Sequence, residues 1–180
     1  MNVVLTGFMG SGKTTFGKQL AQRSGFQFLD MDAEIEASAG MSIVDIFATQ
    51  GESAFRQLEH SFLLSLEEKQ QVVLSTGGGI VLREDNMNRL KQFGLIVFLS
   101  PSPNELLRRL KGDTTRPVIA GKSPEAILAL YQERLPYYQK YADMTLDGSD
   151  QSMLQLLHII TAKSTPDISC QARKETEACN

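Results

Sequence analysis

The chain has 180 residues, 42% of them hydrophobic, and a formal net charge of −3. That length suits one domain with room for a small inserted segment, and the apolar share is enough to bury a core. A slightly negative total gives no basic field for a nucleic-acid partner. No apolar run approaches the ~20 residues that cross a bilayer, which speaks against a membrane protein.

The N-terminus enters an apolar run at once, with no basic-then-apolar leader, so a cytoplasmic protein is expected. Cys170 and Cys179 show no ligand spacing and do not make a disulfide framework. Strands are expected at residues 2–6, 27–29, 72–75, 95–99 and 144–146. Helices are expected at 13–24, 33–39, 42–50, 52–69, 83–93, 103–110, 124–141 and 152–163. Strands alternating with helices predict an α/β fold, a parallel sheet covered by helices on both faces. The first and fourth strands are nearly all apolar, as strands buried on both faces should be.

Helix starts agree. Ser42 followed by Asp45 resembles a capping box, and Ser102-Pro103 and Ser123-Pro124 each set a serine cap before a first-turn proline. Gly40 suits a helix end. Residues 164–180 are polar and without periodicity, so a disordered tail is expected there, beyond a single domain at 1–163.

The stretch GFMGSGKT at residues 7–14 matches G-x-x-x-x-G-K-[ST], directly behind the first strand and ahead of a helix. Its glycines let backbone N–H groups converge, and the positive end of the following helix attracts a polyphosphate. Lys13 can reach the β- and γ-phosphates, and the Thr14 hydroxyl suits Mg²⁺. The loop therefore predicts a nucleoside triphosphate with Mg²⁺.

Further stretches offer groups for a phosphoryl acceptor. Asp30 and Asp32 are two apart, so in an extended chain they point the same way at a strand end, one able to support Mg²⁺ through water and one to accept from a substrate hydroxyl. The alternative is that Asp32 only caps the next helix. Glu59 interrupts the apolar stripe Phe55, Phe62, Leu66 and can hold Arg56, three residues earlier, toward an anion, although a structural salt bridge would look the same. Gly77, Gly78 and Gly79 end the third strand and permit close backbone approach to a ligand, or a plain turn. Residues 111–122, bracketed by Gly112 and Gly121, carry Lys111, Arg116 and Lys122 and suit a mobile basic lid, with Arg116 placed for the γ-phosphoryl group. Arg134 lies on an apolar stripe with Ile127 and Leu130 and needs an anion, internal or from a ligand. Pro136 predicts a bend.

Taken in order, GFMGSGKT, DMD at 30–32, GESAFRQLE at 51–59, STGGG at 75–79, TTRP at 114–117 and ERLPYY at 133–138 resemble the shikimate kinase family over roughly residues 1–160. The resemblance implies a three-layer P-loop kinase with a five-stranded parallel sheet in the order 2-3-1-4-5, a substrate-binding segment at about 32–60 and a lid at about 111–122. It implies transfer of the ATP γ-phosphoryl group to the 3-hydroxyl of shikimate by a monomer. It further implies that Asp32 binds the acceptor hydroxyls and takes part in catalysis, that Arg56 and Arg134 grip the carboxylate, and that Gly78 and Gly79 give backbone contacts. Gly10, Ser11, Gly12, Lys13, Thr14 and Thr15 would cradle the nucleotide, Lys13 and Arg116 would act on its phosphates, and Arg109 would lie against the adenine. Asp30, with Thr14 and Ser75, would serve Mg²⁺ through water. One segment departs: after the last strand, LDGSDQSM at 146–153 has neither the Arg nor the Pro of relatives. The rival readings are a gluconate kinase, disfavoured by the absence of Trp, a nucleoside monophosphate kinase, and a nucleotide switch without an acceptor pocket.

Overall fold

The computed structural model describes residues 1–66, 68–111 and 118–164. Strands β1 (Val3–Thr6), β2 (Gln27–Asp30), β3 (Val72–Ser75), β4 (Leu95–Leu99) and β5 (Met144–Leu146) form one parallel sheet in the order β2-β3-β1-β4-β5. Helices α1 (Lys13–Ser24), α2 (Met31–Ala39), α3 (Ile43–Leu64), α4 (Glu84–Phe93), α5 (Pro103–Leu110), α6 (Pro124–Tyr141) and α7 (Asp150–Ser164) complete the fold, with one 3₁₀ turn at Ile80–Leu82.

Side chains alternate across the strands, so neighbouring residues enter different cores. Val3, Leu5, Val97 and Leu99 pack on Leu20 of α1 and Leu156 of α7. Val4, Leu74, Ile96 and Phe98 pack on the opposite side with Met87 of α4, Leu106 of α5 and Tyr138 of α6. Each fully buried aliphatic chain contributes about 1.5–3 kcal/mol relative to exposure. Register sets the strand ends level: Ser75 pairs with Leu5 on one side and with Asp30 on the other. The loops leaving β1, β2 and β3 therefore start side by side.

Local chemistry fixes the helix starts. The Ser42, Ser102 and Ser123 side chains each accept from a backbone N–H three residues on, at 3.1, 3.3 and 3.3 Å. Gly40 ends α2 in the left-handed region at φ 65. Among the boundaries that differ from expectation, the start of α2 and the end of α3 have a clear local cause. Helix α2 begins at Met31, because the Asp30 carboxylate accepts from the Asp32 N–H at 3.2 Å. Asp30 is thus the cap, and Asp32 stands on the first turn rather than in an extended chain. The expected division into two helices at residue 51 is borne out: within α3, Gly51 has a φ of 80 and a ψ of 171, which break the helical path. The second half stops at Leu64, where Ser65 and Leu66 tighten onto Phe62 and Leu63 carbonyls at 3.0 and 3.3 Å. Helix α6 runs as one element through Pro136. Residues 165–180, including both cysteines, lie outside the described residues.

Asn2 ties three segments together. It is 3% exposed. Its Nδ2 donates to the Lys69 and Phe93 carbonyls at 2.7 and 3.1 Å, and its Oδ1 accepts from Val72 N–H at 3.0 Å. Asn2→Ala is expected to lower stability by about 2–4 kcal/mol, because a buried polar group left without a partner costs about 1–3 kcal/mol. Urea unfolding of the two proteins measures it, and a loss under 1 kcal/mol (about half the low end of that range) contradicts the assignment.

Candidate active site

Helix α1 starts without a side-chain cap. Its N-cap is Gly12, left-handed at φ 92, which has no side chain to receive the first N–H groups. Those donors and the helix dipole face the loop at residues 7–12, an arrangement suited to an anion. The Lys13 ammonium is drawn back onto the same loop, donating to the Gly7 and Phe8 carbonyls at 2.9 and 3.1 Å. A cavity of about 230 Å³ opens here, lined by Gly10, Gly12, Lys13, Thr14 and Thr15 from this loop and helix. Ser11 is buried and faces an adjoining cavity of about 300 Å³ that also touches Arg109 and Gly148.

On the β2 side, the Thr14 hydroxyl donates to Asp30 Oδ2 at 2.8 Å. Ser75, level with Asp30, lines the same cavity. A hydroxyl and one carboxylate beside a phosphate loop fit Mg²⁺, a hard cation that keeps several waters and takes its remaining oxygens from phosphate. Among the described residues no group of three or more His, Cys, Asp or Glu could cage a metal, so the donor set fits an ion that arrives with the nucleotide.

A second cavity, of about 290 Å³, lies against the first. It holds Asp32, Arg56, Gly78, Gly79 and Arg134, brought from α2, α3, the turn after β3, and α6. Asp32 and Gly78 line both cavities and form their border. Arg56 donates to Glu59 Oε2 at 2.7 Å and to Glu52 Oε1 at 2.8 Å. Glu59 is fully buried, and its Oε1 has no hydrogen-bond partner among the described residues. Burial pushes the Glu59 carboxyl up, and the Arg56 charge offsets only part of that rise. Arg134 is buried too, yet no carboxylate among the described residues pairs with it; its Nη1 reaches the Gly78 carbonyl at 3.5 Å.

Two of the three glycines after β3 make room for the protein's own side chains. A Cβ at Gly79 would fall 2.5 Å from Arg56 Nη2, and one at Gly77 would fall 2.9 Å from Asp32 Oδ1 and 3.0 Å from Glu59 Oε1. A Cβ at Gly78 would instead meet the backbone of the phosphate loop, 3.2 Å from Met9 N. The groups that approach this turn are the protein's own, where a ligand was expected.

Arg109 lies over the phosphate loop. It donates to the Ser11 carbonyl at 3.1 Å, and a Cβ at Gly12 would meet its Nη1 at 2.9 Å. Glu105 tethers it through Nε at 2.7 Å, and hydrogen bonds from Arg108 and Arg109 hold the Glu105 carboxyl down at about 2. Arg116 lies outside the described residues, as does half of the expected lid. Of that segment's end, Ile119 is buried in the core and Val118 lines the second cavity.

Several groups escape a sequence reading. Tyr138 donates to the Gly78 carbonyl, and burial pushes its phenol up. Ile43, Val44 and Phe47 supply an apolar wall to the Arg-bearing cavity. The signal for that wall is an apolar cluster at the start of a helix whose Val44 stays exposed. Glu105, four residues before Arg109, was legible as a helical pair.

Comparison with known proteins adds three findings. A family model described as shikimate kinase matches residues 9–164. The shikimate kinase of Thermodesulfovibrio yellowstonii is 46% identical over 147 residues, 81% of this chain and 84% of that protein. A solved shikimate kinase from Acinetobacter baumannii, in complex with shikimate, superposes with a TM-score of 0.82 at 36% identity, covering 91% of this chain and 95% of that one.

The Glu59 carboxyl is raised from 4.5 on folding. A carboxyl so raised contributes stability below its ordinary value, and that contribution is lost as pH rises through the folded value. Glu59→Gln removes this group from the titration, so its stability is expected to fall less than wild type's as pH climbs above the ordinary glutamate range. Thermal melts across a pH series check this; parallel curves would count against a raised Glu59.

Proposed function

This chain belongs to the shikimate kinase family, and from that premise we propose how its residues divide the work of moving the γ-phosphoryl group of ATP to the 3-hydroxyl of shikimate. The observation that carries the reading is the shared border: the cavity bearing Arg56 and Arg134 meets the phosphate cavity at Asp32 and Gly78. An acceptor with a carboxylate at one end and hydroxyls at the other spans that distance with its hydroxyl toward the nucleotide.

The loop N–H groups of Gly10 to Thr15 bind the nucleotide phosphates, and Lys13 exchanges loop carbonyls for phosphate oxygens. Thr14 and Asp30, with Ser75 nearby, would hold Mg²⁺, which would neutralise charge on the outer phosphates. Arg56, already fixed by Glu59, and Arg134, paired with no carboxylate among the described residues, grip the acceptor carboxylate as planar, charge-assisted donors. Gly78 and Gly79 border the acceptor. Asp32 accepts from the attacking hydroxyl, so the oxygen–phosphorus bond forms as the bond to the β-phosphate bridge breaks and ADP departs. Arg116 neutralises charge on the group in transit, and Arg109 covers the nucleotide's base side. The substrate-binding segment at about 32–60 supplies Asp32 and Arg56, and residues 111–122 serve as the lid. Positioning and charge neutralisation are most of what phosphoryl transfer asks of a protein.

ADP release in a coupled assay, with shikimate, gluconate or AMP as acceptor, tests the reading; release that does not depend on shikimate defeats it. Arg134→Ala is expected to weaken shikimate binding about 10- to 100-fold, the strength of a charged hydrogen bond, with ATP binding kept; unchanged shikimate affinity removes Arg134 from the carboxylate site. Asp32→Asn is expected to cut turnover by about 10²- to 10⁴-fold, the share of a positioned proton acceptor, while ATP still binds. Near-normal kcat would take Asp32 out of the chemistry.

A further inference from the structure

Helix α6 presents Arg134 and Tyr138 one turn apart, on one face. Both aim at one acceptor. The Tyr138 hydroxyl donates to the Gly78 carbonyl, and Arg134 Nη1 sits at the outer limit of a hydrogen bond to the same oxygen, at 3.5 Å. Tyr138 has no freedom to move aside: it is fully buried and its ring stacks on Phe98 at 5.0 Å with an interplanar angle of 9°.

We propose that Tyr138 is a positioning residue for the acceptor arginine: by satisfying the Gly78 carbonyl, its hydroxyl releases Arg134 to turn to a ligand carboxylate. A part-buried carbonyl has to find a donor. Among the described residues, the other donor at the Gly78 carbonyl is the Arg134 guanidinium, whose charge makes it the stronger partner. The guanidinium would settle on the protein's own backbone, and an incoming carboxylate would have to displace it. Tyr138 never touches the acceptor in this scheme. It also holds in place one of the two residues shared by both cavities. The inference rests on the proposed role of Arg134 at the acceptor carboxylate and goes beyond it by naming what keeps that side chain available.

Tyr138→Phe preserves the stacked ring and removes only the hydroxyl. Isothermal titration with shikimate and with ADP is run on wild type, Tyr138→Phe, Arg134→Ala and the double variant. The expected result is shikimate affinity weakened about five- to tenfold by Tyr138→Phe, the scale of one ordinary hydrogen bond, with ADP affinity unchanged. In steady state the KM for shikimate rises while kcat holds. In the Arg134→Ala background the second substitution adds nothing, because the side chain it acts through is gone.

Unchanged shikimate affinity in Tyr138→Phe, beside a clear loss in Arg134→Ala, overturns this inference and leaves the proposed function standing. An additive double variant overturns it as well. No loss in Arg134→Ala overturns the carboxylate role of Arg134 and this inference with it. If Tyr138→Phe does not fold, carbon-13 NMR of the wild-type Gly78 carbonyl decides. Its shift is expected to stay that of a hydrogen-bonded carbonyl when shikimate saturates the protein, and a move to the unbonded position overturns the proposal.

Discussion

The parallel register at the carboxyl ends of β1, β2 and β3 is the constraint on which the rest depends. Ser75 sits between Leu5 and Asp30. One slip in either pairing would reverse which face each side chain enters and would separate the phosphate loop from Asp30. The level ends let Thr14 and Asp30 meet at 2.8 Å, let the glycine turn after β3 run under Asp32, and let two cavities share a wall. Strands β1 and β3 are apolar on both faces, so their pattern alone does not enforce this; Asn2 pins β3 at the Val72 N–H, and the Thr76 N–H and hydroxyl both donate to the Leu5 carbonyl at the other end.

Much of this was legible in the sequence because the deciding interactions are local. Serine caps before proline, a left-handed glycine after α2, and the spacing of the phosphate loop all act over three or four residues. The strand order rested on the resemblance alone. Errors arose where neighbours compete for one local role. Asp30 and Asp32 both suit a cap, and period-two reasoning assumed a strand where the chain had already turned into α2. The end of α3 was overrun because the polar stretch after Leu64 keeps good helix formers, while the observed stop comes from a tightened final turn. Arg56 and Glu59 were visible as a pair three apart, but Arg134 was visible only as a cation needing an anion. No internal carboxylate partner emerged among the described residues, a fact that only three-dimensional packing reveals.

The two arginines differ physically in a way that matters for binding. Arg56 is held by a buried carboxylate, so its geometry is set before a ligand arrives and little rotamer freedom is lost on binding. Arg134 lies buried against a carbonyl, a weaker partner than a carboxylate, so it brings the larger change in electrostatic environment when an anion enters. One side chain thus supplies a fixed reference point and the other the response.

Contact between Gly79 and Arg56 reaches further than the pocket. With a virtual Cβ only 2.5 Å from the guanidinium, even a single added methyl at position 79 would push against the arginine that Glu59 and Glu52 hold. Drift at this turn is therefore tied to the identity of a residue in a distant helix, and neither position is at liberty to vary by itself. On the proposed role of Arg56 at an acceptor carboxylate, a lineage that shifted to an uncharged acceptor would lose the reason for both at once.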